Sequence, residues 1–561
     1  MNEKKLKLGI LLDSYEVPVW AYTAIEKIVN LHFVEISLII LNESPDICRS
    51  KIDKYWNNRS QLVYSVFNKI DEVLFRGKPD AFKLHDLKKI LSAVPAIKVR
   101  PIQKRYSDYI QPEDIERIDA YNLDILIRMG FRILRGDILN CSKYGIWSYH
   151  HGDNRVNRGR PPGFWETLES WPETGSTLQI LNETLGGGKV LYRSWSLTYR
   201  LSPYKNRSLY FWTSSTFLPR QIECLHRLGE ERFFKEIEKF NEEFDFYSHK
   251  LYKVPSNIMA IPLMVRYLAR IILEVYNKIF RLDHWYLMFD LGQDVATSFY
   301  GFREIVPPKD RFWADPHVIQ NNHKYYIFVE EYIYKNKKAH ISVIEMDEQG
   351  DFKEPVRVLE KDYHLSYPFV FEWEGKYYMV PETMENRTIE LYECINFPYD
   401  WIFRMNLMEN VKAVDTTLFY KDEKWWLFAA MSESEGPGFN SELFIFFSNE
   451  LFTSKWKPHP LNPVISDVKR ARPAGRIFVK NGKIFRPSQN NSVAYGYGFN
   501  INKIVRLSET EYVERQVVSI KPNWDKGVQG THTFANEGRL TIIDAHEIRH
   551  KNFGFHPKRI N

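Results

Sequence analysis

Residues 313–331 read WADPHVIQNNHKYYIFVEE. A polar entry, an apolar pair, a turn rich in Asn and then an aromatic run make this stretch two short strands joined by a tight turn. The same shape returns four times: SYPFVFEWEGKYYMVPE from Ser366, VDTTLFYKDEKWWLFAA from Val414, RPAGRIFVKNGKIFRPSQ from Arg472 and GTHTFANEGRLTIIDA from Gly530. Starts separated by roughly 50 to 60 residues suit a four-stranded propeller blade. Five copies predict an all-β five-bladed propeller over residues 291–561.

Inner strands of a propeller line its central channel, so equivalent positions converge there. In the five copies those positions hold Asp315, Tyr367, Asp415, Arg472 or Arg476, and His532. The far ends of the same hairpins hold Glu330, Glu331, Glu382, Gln489 and Asp544. Acids and bases around one axis predict a polar substrate pocket. The alternative is a plugged channel in which they satisfy one another.

Toward the N-terminus the periodicity changes. Residues 216–290 are expected to form a helical linker, charged over Arg220 to Phe246 and apolar over Asn257 to Leu287. Arg266, Arg270, Lys278 and Arg281 interrupt that apolar run too often for a spanning helix. It reads either as a face docking one domain on another, or as peripheral membrane contact through 257–287 on an anionic surface.

Residues 1–215 read as an α/β domain. KLKLGILLD at Lys5–Asp13 is a strand, Val19–Leu31 has helical spacing, and Phe33–Leu41 is a second strand. That βαβ order implies a parallel sheet. No GxGxxG follows the first strand, so a dinucleotide is not expected. Residues 51–95 read as a charged, partly helical insertion, and Leu123–Met129 as a central parallel strand. The next strand, Gly145-Ile146-Trp147, delivers His150 and His151 into a loop that carries Asp153, Arg155, Arg158 and Gly159 before a Pro-Pro-Gly break. Such a loop is where α/β proteins place chemistry, although an ordinary surface loop has the same composition. The glycines at 186–188 read as a tight hairpin, or as the backbone wall of a ligand pocket.

Two resemblances attach to these motifs. Leu123–Ile127, Ile133–Leu139 (ILRGDIL), the Tyr144-Gly145 pair, His150, Arg158-Gly159 and Glu173–Thr177 (ETGST) recur in order as in the folate-dependent formyltransferases. The resemblance covers roughly residues 5–200. It implies a Rossmann-like formyltransferase fold and formyl transfer from 10-formyltetrahydrofolate to an amino sugar. The family's site is an Asn-x-His pair and a distant Asp. Here Ser148 stands at the Asn position, His150 is kept, and Gly186 stands at the Asp position. His150 is then the oxyanion and proton-handling residue, with Ser148 as a weaker helper. Either Asp153, His151 or Glu166 replaces the missing acid, or the domain binds without catalysing. Arg158 and Glu166 are the expected substrate contacts. In the second half, Ala314-Asp315-Pro316 with its Tyr-Tyr and Asp-Thr repeats resembles furanosidase- and xylosidase-type glycoside hydrolase propellers. It is also similar to the N-terminal domain of plant glucosamine inositolphosphorylceramide transferases. Those resemblances imply sugar contact at Asp315, Tyr367, Glu382, Asp415, Arg472 and His532, with Asp315, Asp415 and Glu382 as candidate acid and base.

Whole-chain properties are consistent with this division. The 561 residues suffice for two or more domains. A net charge of +6 is too mild over this length to argue for nucleic acid. Aromatic content is 15%, which favours strands and sugar-facing surfaces. Cys48, Cys141, Cys224 and Cys394 form no CxxC pair, which argues against a zinc site and suits a reducing compartment. The opening MNEKKLKLGILLDSYEV reads as a first strand and not a signal peptide. The expected setting is cytoplasmic, with the inner face of the membrane as its alternative form. Three functions follow: formyl transfer in surface-glycan biosynthesis with the propeller holding a nucleotide sugar or glycan, propeller-based glycosidase or glycosyl-transfer chemistry beside an inactive α/β domain, and glycan binding without catalysis.

Overall fold

A computed structural model describes residues 5–44, 59–104, 106–184, 186–242, 247–292, 295, 298–434, 436 and 438–551. Residues 51–58 of the expected insertion, 185 of the glycine turn and 243–246 of the expected linker lie outside the described residues. The chain forms two units. The first is Met1–Ala269, with which Ser434–Pro437 groups; the second is the remainder from Arg270 onward.

A seven-stranded sheet organises the first unit, in the order Lys189–Leu197, Glu173–Ile180, Ile146–His150, Ile125–Arg128, Leu6–Leu12, Val34–Asn42, Ala96–Val99. The five strands from Ile146–His150 to Ala96–Val99 are parallel, and the first two pair antiparallel. Leu6–Leu12 lies centrally and buries Leu8, Ile10, Leu11 and Leu12, as its unbroken apolar run requires. A Cβ at Gly9 would lie 2.6 Å from Leu123 Cδ1, so the glycine lets the Leu123 side chain pack against this strand. Helix Val19–Val29 presents Trp20, Ala21, Ala24, Ile25 and Ile28 to the same core, one apolar stripe at helical spacing. Glu173–Ile180 and Lys189–Leu197 form an antiparallel pair around the glycine turn.

The expected linker divides differently. Helices Phe217–Leu228 and Glu230–Phe240 are part of the first unit's core. Phe217, Leu218, Ile222, Leu225, Phe233 and Ile237 pack in one cluster with Ile10, Trp147 and Leu178. Their charged residues occupy only the outer face. Helix Asn257–Phe280 buries just Ala260 and Tyr267. Tyr267 holds it in place, donating to the Leu201 carbonyl at 2.6 Å and lying 5.1 Å from the Phe67 ring. Its outer face exposes Ile258, Ile261, Val265, Leu268 and Ile272. Among the described residues no helix is long and apolar enough to cross a membrane.

Residues 281–290, also assigned to the linker, belong to the propeller. Strand Arg281–Leu291 pairs along its whole length with the C-terminal strand Leu540–His550. With Arg303–Ile305 and Phe534–Glu537 they make one four-stranded sheet from both ends of the unit. Four further sheets complete five blades: those of Arg311–Asn321 to Val356–Leu359, Ser366–Trp373 to Asp400–Glu409, Ala413–Lys421 to Lys457–Pro458, and Phe478–Lys480 to Tyr512–Ile520. Closing the ring with a shared sheet joins both ends of the unit, and the radial blades leave only short edges.

Candidate functional site

Three consecutive blades turn one residue into the axis in the same way. Asp315, Tyr367 and Asp415 have φ of +53°, +42° and +52°. Each lies where the inner hairpin skips register, between Ala314 and His317, Ser366 and Phe369, and Val414 and Thr417. Left-handed backbone at a non-glycine costs about 1–3 kcal/mol and persists where surrounding contacts over-determine it. The contacts here run between blades. Asp315 accepts from the Tyr367 N–H at 3.2 Å and from Thr533 Oγ1 at 2.8 Å. The Tyr367 hydroxyl meets Thr417 Oγ1 at 2.8 Å and accepts the Gly475 N–H at 2.8 Å. Asp415 accepts from both Nε and Nη2 of Arg472, the latter at 3.0 Å, and from Gln489 Nε2 at 2.7 Å.

Two ionisable clusters result. In the deeper one, His532 Nδ1 lies 2.6 Å from Asp544 Oδ2 and its Nε2 lies 3.5 Å from Asp315 Oδ1. Burial lowers the His532 pKa, but Asp544 and Asp315 outweigh it and lift the ring to about 9. Burial pushes Asp315 well above the ordinary carboxylate range, with His532 opposing. Asp315, His532 and Asp544 each offer a ligand atom within 4.8 Å of the others, the minimum geometry for a cation. An imidazolium cannot ligate, so a cation would first have to displace the His532 proton.

The second cluster lies nearer solvent. Glu382 Oε2 is 3.7 Å from Arg472 Nη2 and has no hydrogen-bond partner. Burial, and next the negative charge of Asp415, push the Glu382 carboxyl well above its usual range. A carboxyl that keeps its proton beside one clamped by Arg and Gln is the arrangement that separates an acid from a base. Tyr495, 46% exposed, holds its ring 5.1 Å from the Arg472 guanidinium. His364 lies 3.3 Å from Glu330; burial opposes its charge, but Glu330 lifts it to about 9. The axis thus pairs its charges at Asp315, His532 and Asp544, and leaves Oε2 of Glu382 without a hydrogen bond beside Arg472 and Asp415. Glu331 faces away from this group. It accepts from Arg311, Trp313 and Ser342 and pairs with His340, because neighbouring residues of a strand point to opposite faces.

A second candidate lies in the first unit. A cavity of about 810 Å³ opens beyond the carboxyl ends of strands Ile125–Arg128 and Ile146–His150, where open α/β sheets bind ligands. Ser148, His150, Arg158 and Gly186 line it. His150 Nε2 donates to the Asn157 carbonyl at 2.7 Å, and burial keeps the ring neutral by lowering its pKa. The Ser148 hydroxyl accepts from Arg128 Nη1 at 2.9 Å. At Gly186, φ is +63° and a Cβ would meet the Arg158 side chain at 3.1 Å, so the glycine makes room for that arginine.

The candidate replacements for the missing acid do not fill its place. The His151 ring is stacked on Phe211 at 3.5 Å and edge-on to Trp20 at 5.1 Å, and burial holds its pKa far down. It is mainly a packed aromatic ring, with one edge on the cavity wall. Asp153 accepts from Arg155 and from Trp195 Nε1 at 2.9 Å. Burial raises its pKa, but these donors outweigh it and take it down to about 2, so it carries no proton near neutrality. Glu166 is buried below the loop, bonded to Asn157 Nδ2 at 3.0 Å and pushed up to about 7 by burial, and it does not line the cavity. The sequence reading missed Arg128, Arg160 and Gln179, all on the wall. Its overlooked signal was a lone Arg at the end of the apolar strand Leu123–Met129.

These sites and their sheets define a propeller joined to an α/β unit. The family described as "Glucosamine inositolphosphorylceramide transferase 1, N-terminal" matches residues 304–553, within the propeller. Glucosamine inositolphosphorylceramide transferase 1 of Oryza sativa subsp. japonica is 32% identical over 240 residues, covering 42% of this chain and 32% of that protein. The Arabidopsis thaliana protein of the same name is 31% identical over 209 residues, covering 37% and 27%. The match therefore spans about a third of the length of these relatives. Among solved structures, a family 117 glycoside hydrolase of Zobellia galactanivorans aligns with a TM-score of 0.31 and 12% identity, over 49% of this chain and 96% of its own. An α-L-arabinofuranosidase of Podospora anserina aligns with a TM-score of 0.32 and 13% identity, over 42% and 90%.

The raised Glu382 pKa has a consequence for stability. The folded protein holds this proton more tightly than the unfolded chain, whose value is about 4.5, so Glu382 favours folding in acid and loses that contribution as pH rises through its folded pKa. Glu382→Gln is expected to raise the propeller's thermal midpoint at pH 8 relative to the parent, with a smaller gain at pH 5. An equal shift at both pH values would show that Glu382 is not held protonated.

Proposed function

We propose that this protein modifies carbohydrate in glycan biosynthesis and that the Glu382 end of the propeller axis receives the sugar. The observation that carries this reading is the proton-holding Glu382, its Oε2 free of hydrogen bonds, beside the Arg472–Asp415 pair, with the half-exposed Tyr495 ring on Arg472. A saccharide offers hydroxyls to match such charged donors and acceptors, and apolar ring faces to lie on an aromatic side chain. In glycosyl chemistry Glu382 would donate its proton to the leaving oxygen, with Asp415 as the partner carboxylate. The similarity of the propeller to proteins named for glucosamine and inositolphosphorylceramide transfer supports a glycan as substrate. Glu382→Gln and Asp415→Asn are each expected to weaken binding on a glucosamine-containing glycan array by roughly tenfold or more. Undiminished binding by both variants would remove the axial site.

A second reading places formyl transfer to an amino sugar in the α/β unit, on a Rossmann-like formyltransferase fold. It is favoured by the neutral His150 ring on a cavity wall at the strand ends. The wall fits 10-formyltetrahydrofolate chemistry only in part: Ser148 is engaged by Arg128, and no Asp or Glu is among the described lining residues to carry the amine's proton. Turnover with that donor and loss of turnover in His150→Ala would favour this reading over the first.

The setting we propose is the cytoplasmic face of a membrane. The apolar face of Asn257–Phe280 is exposed, and Arg266 and Lys278 are exposed elsewhere on the same helix, which suits an anionic lipid surface. The full chain is expected to co-sediment with vesicles containing phosphatidylserine and less with neutral ones, and Val265→Asp with Leu268→Asp to reduce this. Equal recovery in the supernatant with both lipids would exclude it.

A further inference from the structure

The cavity of the α/β unit carries a charge imbalance that neither reading uses. Arg128, Arg132, Arg135, Arg158, Arg160 and Lys253 line it, and its described lining residues include no carboxylate. Two of the six are neutralised from behind the wall: Arg132 by Asp108 at 2.7 Å and Arg135 by Glu183 at 2.9 Å. Three others have no carboxylate partner among the described residues. Arg128 directs Nε to the Arg132 carbonyl at 3.1 Å, Nη2 to the Phe131 carbonyl at 2.9 Å and Nη1 to the Ser148 hydroxyl. All three acceptors are neutral. Burial lowers its pKa; the more distant charges of Asp13 and Asp108 oppose this and the like charge of Arg160 adds to it. Arg158 donates Nε to the Asn154 carbonyl at 2.7 Å and lies over the Tyr247 ring at 4.6 Å. Arg160 is exposed, and its backbone N–H bonds the Tyr252 carbonyl at 3.0 Å.

A guanidinium set in a wall with only neutral acceptors is costly unless an anion completes it. The second observation is independent. Gln179 is 5% exposed and lines the same cavity, and its Oε1 has no hydrogen-bond partner. A single wall thus offers three guanidinium groups with no carboxylate in direct contact among the described residues, and a buried acceptor in need of a donor.

The geometry points to a small molecule bearing a phosphate or diphosphate group as the ligand of this cavity. Arg128, Arg158 and Arg160 hold its anionic oxygens, and Gln179 accepts from one of its hydroxyls. Several planar forks around one space suit the oxygens of phosphate. A volume of about 810 Å³ is that of a site for a molecule of cofactor size. This inference concerns the α/β unit and stands apart from the sugar site of the propeller, so either can fail without the other.

Calorimetric titration of the full chain at low salt tests it, with pyrophosphate, a nucleoside diphosphate and a sugar 1-phosphate as probes and citrate and 5-formyltetrahydrofolate as carboxylate controls. At least one phosphate probe is expected to bind more tightly than both controls, and more weakly as salt rises. Arg158→Gln and Arg160→Gln should each weaken it by roughly tenfold or more. Arg160→Gln removes an exposed side chain, so its effect is separable from misfolding by an unchanged circular dichroism spectrum. A preference for the nucleoside diphosphate identifies a nucleotide source, a preference for the sugar phosphate a saccharide source, and either supports the assignment. No binding of any phosphate probe at millimolar concentration overturns it. So does tighter binding of a carboxylate control, or parental affinity in both variants.

Discussion

The pairing of Arg281–Leu291 with Leu540–His550 is the constraint on which the second unit depends. Five sheets converge on one axis only if the ring is closed. Here the closure is a sheet whose central pair comes from opposite ends of the unit, eleven residues on each side. Asp544 stands in that pairing opposite Leu287, so the strand that shuts the ring also supplies the carboxylate that holds His532. Closure and the axial cluster are therefore one structural event.

The axis is expensive to build. Removing an ion from water costs several kcal/mol even after relaxation, and this unit buries Asp315, Asp415, Asp544 and His532 together. Left-handed backbone at Asp315, Tyr367 and Asp415 adds strain. The blades offset these costs by sharing partners: Asp315 with Tyr367 and Thr533, Asp415 with Arg472 and Gln489. A well-packed apolar axis would be cheaper. Sites that break local rules in this way are where function is expected, and Glu382 is the member of the group whose carboxylate oxygen is left without a partner.

The sequence disclosed some of this and hid the rest for physical reasons. The inner hairpins were legible because alternation and turn residues recur in each copy, and the convergent residues Asp315, Tyr367, Asp415, Arg472 and His532 follow from that repeat. The closing strand was not, since Arg281 follows helix residue Phe280 without a turn signal. Helices Phe217–Leu228 and Glu230–Phe240 read as a linker because their charges outnumber one narrow apolar face. In the histidine loop, composition could not tell that the His151 ring is packed in an aromatic cluster while His150 is held by the Asn157 carbonyl on the cavity wall. Glu330 and Glu331 were equivalent on paper, and strand alternation sends them to opposite faces. Arg128 went unnoticed because its importance lies in the neutral acceptors that hold it on the cavity wall, which only the fold reveals.

The claim at the centre of this account is that the axial end beside Glu382 holds a saccharide. A crystal structure of the protein soaked with glucosamine oligosaccharides tests it most directly. The account predicts sugar density within hydrogen-bond distance of Glu382 and Arg472, with a ring face against Tyr495. Sugar bound elsewhere, with the Glu382 carboxyl sealed by protein, would contradict it.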